Sequence, residues 1–255
     1  LLDKNIHKRR HLRKQRYLRK IFRECTEFTC RKSWKRVMVV RREFEDEAML
    51  GFVADPDASI SSSRLLKDGR SSTIGFIKVG NKGLMAKRYN IKDFAHSLRR
   101  CFRPTRASVS WVNAHRLRLI GIPTPMPIAF VEKRWGPFRS TSYFISEYIE
   151  GINAHEFFRS GQYQAPDLSA SIEHFISLFQ SLADARVSHG DMKATNFILA
   201  ENKIFVTDLD SMREHRFEWL FRRAFERDIK RFMKNWEDLP EVAKDFQKRL
   251  SQLRF

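Results

Sequence analysis

The stretch His189–Phe197, HGDMKATNF, constrains this 255-residue chain more than any other. It crowds a histidine, an acid, a lysine and an asparagine into nine residues between two patterned segments. Before it, Ile172, Phe175, Ile176, Leu178, Phe179 and Leu182 recur at helical spacing up to Ala185, with Pro166 and Asp167 marking the start and Asp167 placed as the N-cap. After it, FILA and KIFVTDLD read as a strand pair about a turn at Glu201–Lys203. The second strand runs into Asp208, twelve residues beyond Asn196. The fold must therefore hold a polar loop between a helix and a hairpin that ends on an acid.

Upstream the pattern is β-rich. SISSSRLL and STIGFIKV read as short strand runs, and a turn at GNKG joins the second to LMAKRYN as a hairpin. Residues Arg99 to Ile120 read as helical after the Pro104 break, with Trp111, Ala114, Leu117 and Leu119 on apolar positions, and GIPTPMP ends that helix. MPIAFVE and TSYFISEYI then give two strands about the loop KRWGPFRS. The first half is thus a sheet with one inserted helix, and beyond Gly151 the pattern is mainly helical, closing on a basic helical tail from about Phe217. These signals predict an α+β chain: a basic, helical extension over 1–50, a β-rich lobe over 51–150 and a small helical lobe over 151–255.

The basic extension carries HKRRHLRKQRYLRKIFRE and RKSWKRVMVVRRE, with Leu12, Leu18, Ile21 and Phe22 as a weak apolar stripe. It reads equally as a solvated helix face or as a polybasic patch for anionic lipid or a phosphorylated glycan. The whole chain has 49 Lys+Arg against 30 Asp+Glu, a net charge of +19, which favours polyanionic partners. No helix-turn-helix, zinc-finger or RNA-binding signature supports nucleic acid as that partner. Cys25, Cys30 and Cys101 have no paired spacing, which suits a reducing, cytosolic setting. No apolar run approaches the ~20 residues that span a bilayer, so membrane contact is expected to be peripheral. The opening on Leu1, with no apolar signal core, reads as a trimmed or incomplete N-terminus without a secretory peptide.

Phosphoryl transfer from a nucleotide needs a lysine on the phosphates, carboxylate and amide ligands for magnesium, and an acceptor for the hydroxyl proton. His189 to Asn196 keeps the spacing of the catalytic-loop motif HRDLxxxN, with Asp and Asn in register. Asp208, in Asp208-Leu209-Asp210, falls where the magnesium-binding DFG aspartate belongs. Lys87, in LMAKRY, takes the place of the strand lysine of VAIK. The loop Lys67–Thr73 would cover the nucleotide through Gly69, Ser71 and Ser72, although it has one glycine where three are usual.

With HGDMKATNF, VTDLDSM, the hinge-like SEYIEG and WVNAHRLRLIGIPTP, the chain resembles the bacterial lipopolysaccharide core kinases, the Kdo/heptose kinase group of the protein-kinase-like fold, over about residues 60–235. The resemblance implies two lobes, with ATP and Mg2+ as cofactors. By it, Asp191 orients or deprotonates the acceptor hydroxyl and Lys193 steadies the transferring phosphoryl group. Asn196 and Asp208 hold magnesium, Lys87 holds the α/β-phosphates, and Glu147 and Ile149 offer backbone groups to adenine. Asp228 corresponds to the helix aspartate that braces the catalytic loop. The implied acceptor is a lipopolysaccharide core oligosaccharide or lipid-linked precursor at the cytoplasmic face of the inner membrane, where the basic segment would dock. Two departures stand out. No acid lies between Asp93 and Glu132, so the helix expected to carry the glutamate partner of Lys87 has none, leaving Asn113 or His115 as substitutes or a catalytically weak, nucleotide-binding protein as the alternative. The chain also ends 47 residues after Asp208 without an APE-like segment, which favours a sugar acceptor over a protein one.

Overall fold

The structure, a computed structural model, describes residues 2–80, 82–90, 103–161 and 165–253. The chain divides into two compact units, Leu1–Leu119 with Met126–Tyr148, and Ile120–Pro125 with Ile149–Phe255. The expected turn residue Asn81 and the expected helical residues Arg99 to Phe102 lie outside the described residues.

The first unit is built on a seven-stranded antiparallel sheet in the order β1-β2-β6-β7-β5-β4-β3. Its strands are β1 (Phe28–Lys32), β2 (Arg36–Arg41), β3 (Arg64–Asp68), β4 (Ser72–Val79), β5 (Lys82–Tyr89), β6 (Pro127–Trp135) and β7 (Phe138–Glu147). Hydrophobic side chains from both faces of β2, β6 and β7 are buried, as expected of central strands covered on each side. One face gathers Met38, Val40, Leu84, Ala86, Val131 and Tyr143 with Met49, Phe52 and Ile60 from α2 (Glu47–Ala54) and α3 (Pro56–Ser61). A longer helix, α4 (Arg106–Leu119), also packs on β6 and β7. The indole of its buried Trp111 donates to Ile21 O at 3.0 Å, just past the end of α1 (Leu2–Lys20).

Four sequence expectations change here. Residues 1–50 do not form a separate helical extension: α1 is helical, but β1 and β2 join the sheet, because the apolar run Val37–Val40 pairs with β6 in the register Val39↔Phe130. The run SISSS is not a strand, since Asp55 caps α3 by accepting from Ala58 N and Pro56 sits in its first turn. With Asp46 capping α2 at 2.7 Å from Met49 N, the described residues of the β-rich unit hold α2 and α3 in addition to α1 and the one inserted helix, α4, that the apolar pattern signals. Leu119, expected on the apolar face of α4, is 44% exposed.

The second unit contains α5 (Ala154–Ser160), α6 (Ala165–Asp184), α7 (Glu218–Met233) and α8 (Pro240–Leu250). Two small antiparallel sheets accompany them, β11 (Lys203–Val206) with β10 (Phe197–Ala200) and β8 (Ile152–Asn153), and β12 (Arg213–Glu214) with β9 (Val187–Ser188). Helix α6 begins at Ala165, so Asp167 lies inside its first turn and is not the N-cap. The β10–β11 turn is closed by Glu201 and Asn202, both left-handed, as a two-residue hairpin requires. The core is aromatic: Phe158, Phe232 and Phe246 pack on Trp236, and Phe175, Phe179 and Phe197 continue the cluster, with ring centroids 5.0–6.1 Å apart and mostly edge to face. The segment Ile120–Pro125 lies along β11, where Val206 N donates to Pro123 O at 3.0 Å and Thr124 Oγ1 to Val206 O at 2.7 Å.

Candidate active site

The loop His189–Lys193 leaves β9 and is fixed from beneath by α7. Asp228, buried on α7, accepts His189 N–H at 2.6 Å through Oδ2 and Gly190 N–H at 3.0 and 3.1 Å through both oxygens. Burial pushes this carboxyl above its ordinary range, against the pull of those two backbone donors. His189 is itself fully buried, and its Nε2 donates to Thr207 O at 3.0 Å. Gly190 has φ +80°, and a Cβ there would meet Ser211 O at 2.6 Å. That is why a glycine stands between the histidine and the acid.

Asp191 follows this pinned pair with its carboxylate partly accessible. Its Oδ2 lies 3.2 Å from Lys193 Nζ, and its Oδ1 lies 2.7 Å from Arg231 Nη2, an ion pair by distance in which no N–H is aimed as a hydrogen bond. Arg231 is the site residue that motif reading passes over. Its signal is helical spacing, because it sits three residues beyond Asp228 on α7 and so shares that residue's face.

Asn196 and Asp208 are tied together by backbone. Asn196 O accepts from both Thr207 N at 2.9 Å and Thr207 Oγ1 at 3.0 Å, and Asp208 is the next residue. The hairpin β10–β11 enforces this, with Phe197 opposite Val206. Asn196 Nδ2 donates to Asp191 O at 2.8 Å, which leaves its Oδ1 as the atom to face a cation. Asp208 holds a left-handed backbone, φ 57° and ψ 55°, a conformation that aspartate tolerates better than most residues. One carboxylate and one amide oxygen suit magnesium, which keeps several waters and takes one or two carboxylates, and the donor set fits such an ion.

The remaining candidates, Ile149 apart, belong to the first unit. Lys87 is buried in β5 between Ile74 and Phe144, with Nζ 5.2 Å from the centre of the Tyr89 ring. His115 is committed elsewhere: Nδ1 meets Tyr17 OH at 3.1 Å, the ring stacks edge-on against Trp111 and Phe28, and Nε2 has no hydrogen-bond partner among the described residues. Burial beside Arg41 and Arg118 lowers its pKa to about 3. Asn113 Oδ1 accepts from Arg116.

Gly69 and Ser71 form the tight β3–β4 connection, where Gly69 N donates to Ser72 O and the carbonyls of Gly69 and Ser71 accept from Asn90. Ser71 O also accepts from Arg106 at 3.1 Å. Ser72 is buried at the start of β4, so Gly69 and Ser71 are the more accessible of the three. Glu147 closes β7, and its N–H is taken by Met126 O at 2.9 Å. Its carbonyl accepts from Ser146 Oγ at 3.3 Å, and Ile149 opens the main segment of the second unit.

With these positions in hand, comparison with known proteins is specific. A family model for the lipopolysaccharide kinase (Kdo/WaaP) family matches residues 58–252. The solved structure of WaaP in complex with acyl carrier protein aligns at a TM-score of 0.55 and 17% identity, covering 85% of this chain and 95% of that one, and shows the shared fold. The PknI kinase domain of Mycobacterium tuberculosis aligns at a TM-score of 0.39 and 14% identity over 58% of this chain and 57% of that one. No curated protein sequence matches. The chain has a protein-kinase-like α+β fold, it is a kinase, and it belongs to the lipopolysaccharide kinase (Kdo/WaaP) family.

Proposed function

We propose that this chain uses ATP and Mg2+ to phosphorylate a heptose or Kdo hydroxyl of the lipopolysaccharide inner core, at the cytoplasmic face of the inner membrane. The observation that carries the reading is the single rigid assembly in which Asp228 fixes the loop before Asp191 and Thr207 joins Asn196 to Asp208. Asp191 accepts the acceptor's hydroxyl proton, and Lys193 with Arg231 sets positive charge beside the carboxylate, where negative charge gathers on the transferring phosphoryl group. Asn196 and Asp208 would hold the magnesium ion, which neutralises the nucleotide phosphates when bound. Lys87 would bind the α/β-phosphates, the Gly69–Ser71 connection would cover them, and Ile149 would meet adenine. Chemistry of this kind needs positioning and charge more than covalent work.

The lipid-linked acceptor and the charge of +19 favour an anionic surface, with α1 as its basic element, and no nucleic acid. Among the described residues no helix is long and apolar enough to cross a membrane. The WaaP complex makes acyl carrier protein the protein partner to test first.

The test uses purified protein, magnesium ATP and dephosphorylated core oligosaccharide. Asp191→Ala is expected to lower phosphate incorporation by about 10²–10⁴-fold, the range of a general base. Equal incorporation by the two proteins would remove Asp191 from the chemistry. A second reading, a catalytically weak or inactive kinase-like nucleotide-binding protein, is favoured by the absence of acid in α4 and by the commitment of His115 to Tyr17. It requires magnesium-dependent nucleotide binding with no transfer to any core acceptor.

A further inference from the structure

Two hairpin tips lie side by side at one end of the seven-stranded sheet. The β1–β2 connection carries Trp34, and the β6–β7 turn carries Trp135 and Phe138 at its two ends. Backbone bonds lock the tips together, Gly136 N to Trp34 O and Arg134 N to Lys35 O, each 2.9 Å. The Trp34 and Trp135 rings meet edge to face at 6.2 Å, and Phe138 stacks on Trp135 at 6.1 Å. Gly136, at φ +57°, is shaped to this contact, since a Cβ there would stand 2.7 Å from the Trp34 ring. Yet the cluster is not core: Trp34 is 64% exposed, Trp135 65% and Phe138 37%. A rigid group of large aromatics left in solvent marks a contact surface.

The two segments that form it carry charge of one sign. Residues 28–41 and 133–146 contain no acid. Arg134 and Arg139 are held by buried Glu132, and Lys133 by Asp57, while Lys32 and Lys35 are exposed with no ion-pair partner among the described residues. The tip also stands away from Lys87, whose strand neighbour Phe144 is six residues from Phe138, roughly 20 Å along β7. Sugar recognition would call for carboxylates and amides around the rings, and none is present in these two segments beyond the backbone.

We propose that Trp34, Trp135 and Phe138 form a wedge that enters the interfacial layer of an anionic bilayer, with Lys32 and Lys35 meeting lipid phosphates. Amphipathic aromatic rings settle at that depth, and lysines beside them add electrostatic attraction to anionic headgroups. The proposal rests on the membrane reading above and moves the point of entry from α1 to the sheet.

Flotation of the full chain with vesicles of phosphatidylcholine alone, or mixed with phosphatidylglycerol, tests it. Wild type is expected to float with the mixed vesicles only. Trp34→Ser with Trp135→Ser should lower partitioning by at least about tenfold. Lys32→Glu with Lys35→Glu should do the same while leaving the rings and their packing in place, and both variants should keep wild-type transfer to a soluble, delipidated acceptor. A third variant, Arg13→Gln with Arg16→Gln and Arg19→Gln, should keep floating. If this α1 variant alone loses vesicles, the membrane reading survives and the wedge is wrong. If wild type floats with neither vesicle, both fall. Tryptophan-dependent capture of soluble core oligosaccharide without flotation would make the tip a glycan platform and also overturn the proposal.

Discussion

Asp228→Ala removes the acceptor for two backbone donors at the head of the candidate catalytic loop. The His189 N–H is fully buried and has no water to turn to, so leaving it unmade should cost about 1–3 kcal/mol. Gly190 is exposed, and solvent can replace part of its bond, so its share is nearer the net value of a hydrogen bond, about 1 kcal/mol. The sum is about 2–4 kcal/mol, a large part of the ~5–15 kcal/mol that holds a domain together. Urea denaturation should place Asp228→Ala at a clearly lower midpoint, with Asp228→Asn between it and wild type because one carbonyl oxygen remains. Below the transition, phosphate transfer should still fall by about 10²-fold, the effect of shifting a reacting group by about 1 Å. A stability loss under about 1 kcal/mol, or undiminished transfer by the folded variant, would mean that Asp228 does not position the loop.

Gly190 and His115 carry two further expected outcomes. Gly190→Ala forces a side chain onto Ser211 O in a left-handed backbone, and should cost about 2–4 kcal/mol by denaturation; a neutral effect would show that the loop can shift freely. His115 has a pKa lowered to about 3, so between there and pH ~6.5 only the unfolded chain binds the proton. Stability from this site is full above pH ~6.5 and falls with pH by up to ~1.4 kcal/mol per unit. His115→Phe should flatten that limb in denaturation midpoints taken at pH 7 and pH 5, and an unchanged slope would refute the assignment.

Spacing made much of the second unit legible, because the contacts that define it are short-range. Asn196, the hairpin and Asp208 are joined by one ladder, so the distance along the chain encodes the distance in space. The role of Asp228 depended on family likeness until the structure showed its two bonds, since 38 residues separate it from Gly190. Arg231 could have been found only once Asp228 had been placed. In the first unit, β1 and β2 were hidden because their cations mask an apolar run whose partner, β6, is some ninety residues away. Helices α2 and α3 carried readable caps in Asp46, Asp55 and Pro56, but the serines after them suggested a strand. His115 was offered as a partner of Lys87 from its place on the helix alone, and only packing against Tyr17 and Trp111 shows where its ring goes.

The candidate loop is fastened at both ends, by Asp228 before Asp191 and by Phe197, which is buried among Phe175, Phe179 and Phe232 immediately after Asn196. Opening it means unpacking that aromatic core, so the fully buried, hydrogen-bonded amides of His189 and Phe197 should exchange with deuterium only as fast as the whole second unit unfolds. Such a loop stores no slack. Heat would abolish turnover and native structure at one temperature, and a small molecule that stabilises the unit would protect activity to the same extent.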